Sequence, residues 1–268
     1  MTSLPLRGAV GQTLTLVLWQ IRYEQRAFWR DRRRAIFSFM FPLMMLLLFG
    51  SLNQDSTVDN GTGTIPFLTF FVPGIIAYGV VTTTFSNLAV SLAAAREQGL
   101  LKRIKGTPLP WWAFFAGRAG SAICVTAAMT ASTLVLAHGL FGVPVHAHTL
   151  PALAVTVALG ATAFTALGIA AVRWLPSADS AGPMQAAIVF PLAFISGVWF
   201  PMHDAPSWLD HLSHALPLRP LADALQTAFD PSTTGAGFVG GDLLSLALWT
   251  VAGGWLMIKF LRSAAARD

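Results

Sequence analysis

The chain alternates between long apolar runs and short polar breaks. Residues 35–52, "AIFSFMFPLMMLLLFGSL", carry no charge and approach the roughly 20 residues a helix needs to cross a bilayer. Pro42 should kink that helix. After the polar loop "NQDSTVDNGTGT", residues 65–95 are again charge-free, and Pro66 and Pro73 mark the entrance of a second span over 67–92. Within it lies an unusual polar stretch, Thr82, Thr83, Thr84, Ser86 and Asn87. A third apolar region opens at Trp111, and beyond Arg118 no formal charge appears until Arg173. At about 1.5 Å per residue that is too long for one crossing. Gly139, Gly142, Pro144, His146, His148 and Pro151 cluster in its middle, so it divides into spans 111–141 and 150–174. After the turn "RWLPSADSAGP" a fifth span covers 182–200, and a sixth covers 243–261, where Lys259 can snorkel.

Two segments have a different pattern. In residues 1–34, Leu14, Leu18 and Ile21 recur at helical spacing among Arg22, Arg26, Arg30 and the cluster Arg32, Arg33, Arg34. This predicts an amphipathic helix lying on the membrane face, its apolar side in lipid and its arginines toward phosphates; a solvated basic tail is the alternative. In residues 201–241, Trp208, Leu212 and Leu216 form one helical stripe and Leu218, Leu221, Ala222, Leu225 and Phe229 a second. Pro217 and Pro220 separate them, and Pro206 and Pro220 suit first helical turns. Neither stripe is long enough to cross. No repeat or low-complexity linker interrupts the chain, so residues 35–268 read as one six-span domain behind the interface helix of residues 1–34.

Composition agrees. Of 268 residues, 54% are hydrophobic and only 11% charged, against roughly 25% charged in a soluble domain. Mean hydropathy is +0.62. These values exclude an ordinary soluble enzyme and a disordered chain. The net charge of +5 needs no nucleic acid, because Lys and Arg are sorted: sixteen of the seventeen fall in the N-terminal segment, the second-to-third and fourth-to-fifth loops and the tail, leaving Arg219 alone on the other side. Such asymmetry places both termini in the cytoplasm. The first apolar run begins too late for a signal peptide, and the further runs argue against reading "RDRRRAIFSF" as a twin-arginine signal.

Catalytic signals are missing. There is no phosphate-binding G-x-x-x-x-G-K-[ST], no H-E-x-x-H and no G-x-S-x-G. Ser196-Gly197 resembles the end of an intramembrane protease's G-x-S-G, but Phe194 stands where the first glycine should be, so a small-residue packing site is the plain reading. His203, His211 and His214, with Asp204 and Asp210, make a metal site conceivable, yet histidines at a wet interface are commoner. The expectation is no metal and no cofactor bound by this chain. Cys124, the single cysteine, reads as an inert apolar residue. Formal charge is nearly absent inside the spans; Arg118 is the nearest case and is expected to snorkel to the cytoplasm. An internal charge relay is therefore unexpected, and any energy for uphill movement should enter from outside the chain.

The second-to-third loop, "AAAREQGLLKRIKGTPLP", is where it could enter. Leu100, Leu101 and Ile104 form a short apolar stripe ringed by Arg96, Glu97, Lys102, Arg103 and Lys105. This predicts a short amphipathic cytoplasmic helix, with Gly99 permitting close approach of another backbone and Gly106 and Pro108 ending it. A bare positive anchor is the alternative reading.

These features resemble the permease subunits of type-2 ABC exporters, in particular the daunorubicin-resistance-like permeases. Glu97, Gly99, Arg103, Thr107 and Pro108 match that family's E-x-G, Arg and T-P pattern, and Gly197, Phe200, Pro201, Pro206, Trp208, Leu209 and Pro217 match its segment before the last span. The resemblance implies an all-α integral membrane protein with six transmembrane helices, an N-terminal interface helix, a coupling helix between spans two and three, and two short re-entrant helices before span six. It also implies two paired permeases seated on two separate ABC ATPase subunits that bind ATP and Mg, so that this chain is a transport subunit and not an enzyme. On that pattern Arg96, Glu97, Gly99, Leu100, Arg103 and Pro108 couple to the ATPase. The chain would sit in a bacterial inner membrane and export an amphipathic small molecule or drug. Polysaccharide or lipid-linked glycan export is the nearest rival, and a self-contained carrier or channel the rival of another class. Thr82, Thr83, Ser86 and Asn87 are candidates for the substrate path, although hydroxyls can equally bond back to their own helix. Ala158, Thr162, Ala166 and Ala170, four apart, suggest close helix packing. Trp199, Phe200 and Trp208 suit an aromatic belt or an exit gate.

Overall fold

The computed structural model describes residues 6–61, 63–99, 110–202 and 205–265. Its helices are α1 (Leu6–Arg30), α2 (Arg32–Leu52), α3 (Phe67–Val81), α4 (Asn87–Glu97), α5 (Trp111–Phe141), α6 (Leu150–Ala171), α7 (Ala178–Ile195), α8 (Ser207–His214), α9 (Leu218–Phe229) and α10 (Gly240–Ala265). A π-helical turn, Thr82–Ser86, joins α3 to α4, and a 3-10 turn, Val172–Trp174, closes α6. Among the described residues six helical stretches are long and apolar enough to cross a membrane: α2, α3 through α4, α5, α6, α7 and α10. They are spans one to six of an all-α integral membrane protein.

Several boundaries move for identifiable reasons. The loop after span one contains a two-stranded antiparallel hairpin, β1 (Thr57–Asp59) and β2 (Thr64–Pro66), with Val58 opposite Ile65. The Asn60-Gly61 pair was the signal that could have shown it. Span two runs on to Glu97. Its Thr82, Thr83 and Thr84 hydroxyls donate to the carbonyls of Tyr78, Gly79 and Val80 at 3.0, 2.7 and 2.6 Å. This back-bonding competes for the carbonyls of the preceding turn, at the point where the helix widens into its π turn. Span five begins at Ala178, not 182, because Ser177 and Ser180 form a capping box ahead of Pro183. It ends at Ile195, not 200. Gly197 sits at φ +70°, and the Val198 amide turns back to the Ala193 carbonyl at 3.3 Å, the hydrogen-bond pattern of a left-handed helix stop. Gly142, at φ +65°, ends span three in the same way.

Span two is the central element: 89% of its most apolar window is buried, against 22% for spans one and five and 11% for span six. Around it gather Leu46 of span one, Phe164 of span four and the inner stripe of α9, with Leu218, Leu221, Leu225 and Phe229 all buried. Helix α9 thus wedges between the spans, and Gly160 of span four leaves its Cβ space to Leu221. The outer stripe on α8 turns the other way, since Trp208 and Leu212 are exposed. The stripe of small residues on span four is only half used: Ala158 and Thr162 are exposed, whereas Ala166 packs against Gly253 of span six. Cys124 is exposed on span three.

Helix α1 corrects the sequence expectation in one respect. Leu14, Leu18, Trp19 and Tyr23 are exposed and available to lipid, but Ile21 packs on span three. The buried stripe includes Gln20 and Phe28, and Gly117 and Gly120 of span three have no side chain where Gln20 and Ile21 lie. Gln20 therefore faces protein beside Ile21 and Phe28, while Leu14, Leu18, Trp19 and Tyr23 face outward with Arg22, Arg26 and Arg30. Arg118 belongs to this junction and does not snorkel. Its Nε lies 3.4 Å from Glu24 Oε1 of α1, with both side chains mostly buried, and its guanidinium stands 4.7 Å from the Phe114 ring centroid.

Candidate functional site

The flank of the basic loop is built by the last turn of α4. Arg96 and Glu97 reach sideways to the turn between spans four and five. Arg96 Nη1 donates to the Val172 carbonyl at 2.9 Å, and Nη2 donates to the carbonyl of Leu175. Glu97 Oε1 accepts from the Ala178 amide at 2.8 Å, at the first residue of span five. The guanidinium therefore satisfies carbonyls left over at the end of span four, and the carboxylate satisfies an orphan amide at the positive end of span five. Gly99 has a left-handed backbone, φ +66°, and among the described residues nothing lies within 4 Å of the place a side-chain Cβ would take. Leu100, Arg103 and Pro108, with Thr107, lie outside the described residues.

The candidate substrate residues divide. Thr82, Ser86 and Asn87 line a groove of about 380 Å³ between spans one, two and five, together with Phe37, Ser38, Phe41, Pro42, Tyr78, Val90, Gly182, Gln185, Ala186 and Val189. Asn87 Nδ2 donates to Ser38 Oγ across the groove at 2.9 Å. Thr83 is placed elsewhere: it is buried and bonded to Thr126 of span three at 2.7 Å. Sequence reasoning missed Gln185, the polar group of span five that faces this groove. Its spacing with Gly182 and Val189, three and four residues apart, was the available signal.

The segment between spans five and six forms, with span two, a second cavity of about 520 Å³, lined among others by Thr69, Phe70, Pro201, Asp210, Arg219, Asp223 and Gln226. Pro206 caps α8, which holds Trp208 and Leu209, and Pro217 caps α9. Arg219 Nε pairs with Asp223 Oδ2 at 2.6 Å. Burial pushes the Asp223 carboxyl above its usual range, against the pull of that guanidinium. Gln226 Nε2 donates to the Gly197 carbonyl at 3.0 Å and so ties α9 to the end of span five. Trp199 packs inward on Phe71 and Tyr78, whereas Phe200 and Trp208 are exposed. Ser196 is buried, and its hydroxyl has no hydrogen-bond partner among the described residues. Among the described residues no group of three or more His, Cys, Asp or Glu could hold a metal ion; His203 and Asp204 lie outside them.

Comparison with known proteins agrees with this architecture. Residues 15–229 match the family described as ABC-2 type transporter. The inner membrane transport permease YadH of Escherichia coli (strain K12) is 28% identical over 175 residues, 65% of this chain and 67% of that protein. The protein named "Probable multidrug ABC transporter permease YbhR" of the same strain is 29% identical over 157 residues, 58% of this chain and 42% of its own length. Nodulation protein J of Rhizobium meliloti (strain 1021) is 26% identical over 173 residues, 60% of this chain and 62% of that protein. With the six spans and a match over most of its length, the chain belongs to the ABC-2 type transporter family and is a multi-pass permease subunit of an ABC transporter, the kind that works with a separate ABC ATPase.

Proposed function

We propose that this permease exports an amphipathic small molecule or drug from the cytoplasm of a bacterium, across the inner membrane, using ATP and Mg bound by two partner ATPase subunits. Two copies of the permease pair, each with both termini in the cytoplasm, and the loop beginning at Arg96 seats in a groove of the ATPase. Helices α8 and α9 re-enter the membrane from the outside ahead of span six. The observation that carries this reading is the double tie of α4 to the turn between spans four and five, Arg96 to the Val172 and Leu175 carbonyls and Glu97 to the Ala178 amide. A push on the loop reaches Arg96 and Glu97 first. They pass it to the 172–178 turn, and the same helix that begins there carries Gly182, Gln185 and Val189 into the groove. Coupling and cargo are thereby joined through one rigid element.

The experiment is uptake into inside-out vesicles containing the permease and its partner ATPase. Uptake of an amphipathic dye should require ATP and both proteins. Transport that persists without ATP or without the ATPase would instead identify a self-contained carrier or channel and sink this reading.

A further inference from the structure

One group in the groove has no role in the coupling described above. Gln185 is 1% exposed, and neither its Oε1 nor its Nε2 has a hydrogen-bond partner among the described residues. A primary amide carries two N–H donors and a two-lone-pair acceptor, and leaving all of them unmet in a buried place is costly. Two of the other polar groups nearby are already engaged. The Thr82 hydroxyl donates to the Tyr78 carbonyl, and the Asn87 amide bonds Ser38. Gln185 is thus a buried polar group of the lining with no partner to give up when a molecule enters.

The rest of the lining restricts what that molecule can be. None of the thirteen lining residues carries a formal charge. An ammonium or a phosphate held there would be desolvated with no counter-charge, a far larger penalty than an unmet amide. Phe37, Phe41, Pro42, Val90 and Val189 offer apolar contact. The volume, about 380 Å³, lies within the range of small-molecule sites.

We infer that the groove takes a neutral amphiphile, whose polar head presents an adjacent donor and acceptor (an amide, or neighbouring hydroxyls) to the Gln185 carboxamide while its apolar body lies on Phe37, Phe41 and Val189. A neutral drug and a neutral glycolipid share this chemistry. The inference rests on the exporter reading for the word cargo, but binding itself needs neither ATP nor transport.

The test uses the full-length permease in nanodiscs without nucleotide, and three photoreactive probes with one diazirine-bearing dodecyl chain and different heads: a glucoside, a trimethylammonium and a phosphate. The glucoside should cross-link to residues lining the groove at least tenfold more than either charged probe. Gln185→Leu should cut that labelling at least fivefold while the unliganded melting temperature holds or rises, because an unmet polar group has been removed. Gln185→Glu should shift the preference toward the ammonium probe. Equal or greater labelling by a charged probe with the native protein overturns the inference. So does undiminished glucoside labelling of Gln185→Leu, or a fall in its melting temperature, which would show the amide already bonded, for instance by a second copy. A glucoside that labels the groove in a protein showing no ATP-dependent uptake would remove the exporter reading and leave the groove assignment standing. ATP-dependent uptake of a charged amphiphile with no glucoside labelling would do the reverse.

Discussion

Arg96→Met tests the relay most directly. Methionine keeps an unbranched side chain and most of the apolar contact but removes every donor. Lost are the bonds to the Val172 and Leu175 carbonyls, plus a longer one to Pro176 at 3.4 Å. Hydrogen bonds made by a charged group contribute roughly 1.5–3 kcal/mol each; Arg96 is half-buried, so about 2–3 kcal/mol for the set is a reasonable total after solvent screening. If that energy holds the 172–178 turn to span two, its loss lets the turn lag behind the loop. At about 1.4 kcal/mol per factor of ten, 2 kcal/mol corresponds to roughly a thirtyfold fall in cargo moved per ATP hydrolysed. The assay measures ATP hydrolysis and uptake in the same inside-out vesicles, with co-purification of the ATPase as control. The expected result is continued hydrolysis, intact assembly and depressed transport. Normal transport per ATP would refute the relay. Loss of co-purification would refute it differently, by showing that Arg96 docks the ATPase instead of spanning two elements of the permease.

The Glu97 tie is one exposed hydrogen bond, so Glu97→Gln should lower transport per ATP only severalfold. Glu97→Arg should lower it much further without preventing membrane insertion, because it sets a cation against the positive end of span five; insertion is read by membrane fractionation. Glu24→Gln leaves Arg118 mostly buried without its partner, so the melting temperature should fall, in line with the about 3–5 kcal/mol that breaking a buried pair can cost. The double variant Glu24→Gln/Arg118→Met should regain most of the loss, and a double variant no better than the single would count against a paired charge. Gly117→Leu should separate α1 from span three, because Gln20 occupies the space a side chain would need; faster proteolysis after Arg22 or Arg26 reads this out. For topology, single cysteines at Asn53, Gln98 and Ser232 in a Cys124→Ala background should label from outside at 53 and 232 but not at 98, and the opposite pattern would overturn the charge argument.

How much of this was legible in advance differs by element. The six spans were readable because a bilayer demands long charge-free runs, and that demand is one-dimensional. The α9 stripe was equally readable, since Leu218, Leu221, Leu225 and Phe229 repeat with the helix, and all four are buried. The hydroxyl run at Thr82–Ser86 was visible as an oddity. That it splits into a groove-lining set and a buried Thr83–Thr126 contact was not, because the split depends on which neighbour each side of the helix meets.

The sequence by itself determined the solvent, the number of crossings and the sorting of positive charge, because hydrophobic length and loop charge act locally along the chain. Only the tertiary structure decided which polar groups have partners. Arg118 looked free to reach water until α1 brought Glu24 beside it. Arg96 and Glu97 looked like surface charges until the 172–178 turn came within hydrogen-bond reach. Gln185 looked like any glutamine in a helix until the packing around it supplied no donor and no acceptor among the described residues. Hydrogen bonds and ion pairs are short-ranged and directional, so their partners, separated here by up to 94 residues, are fixed by packing and not by pattern.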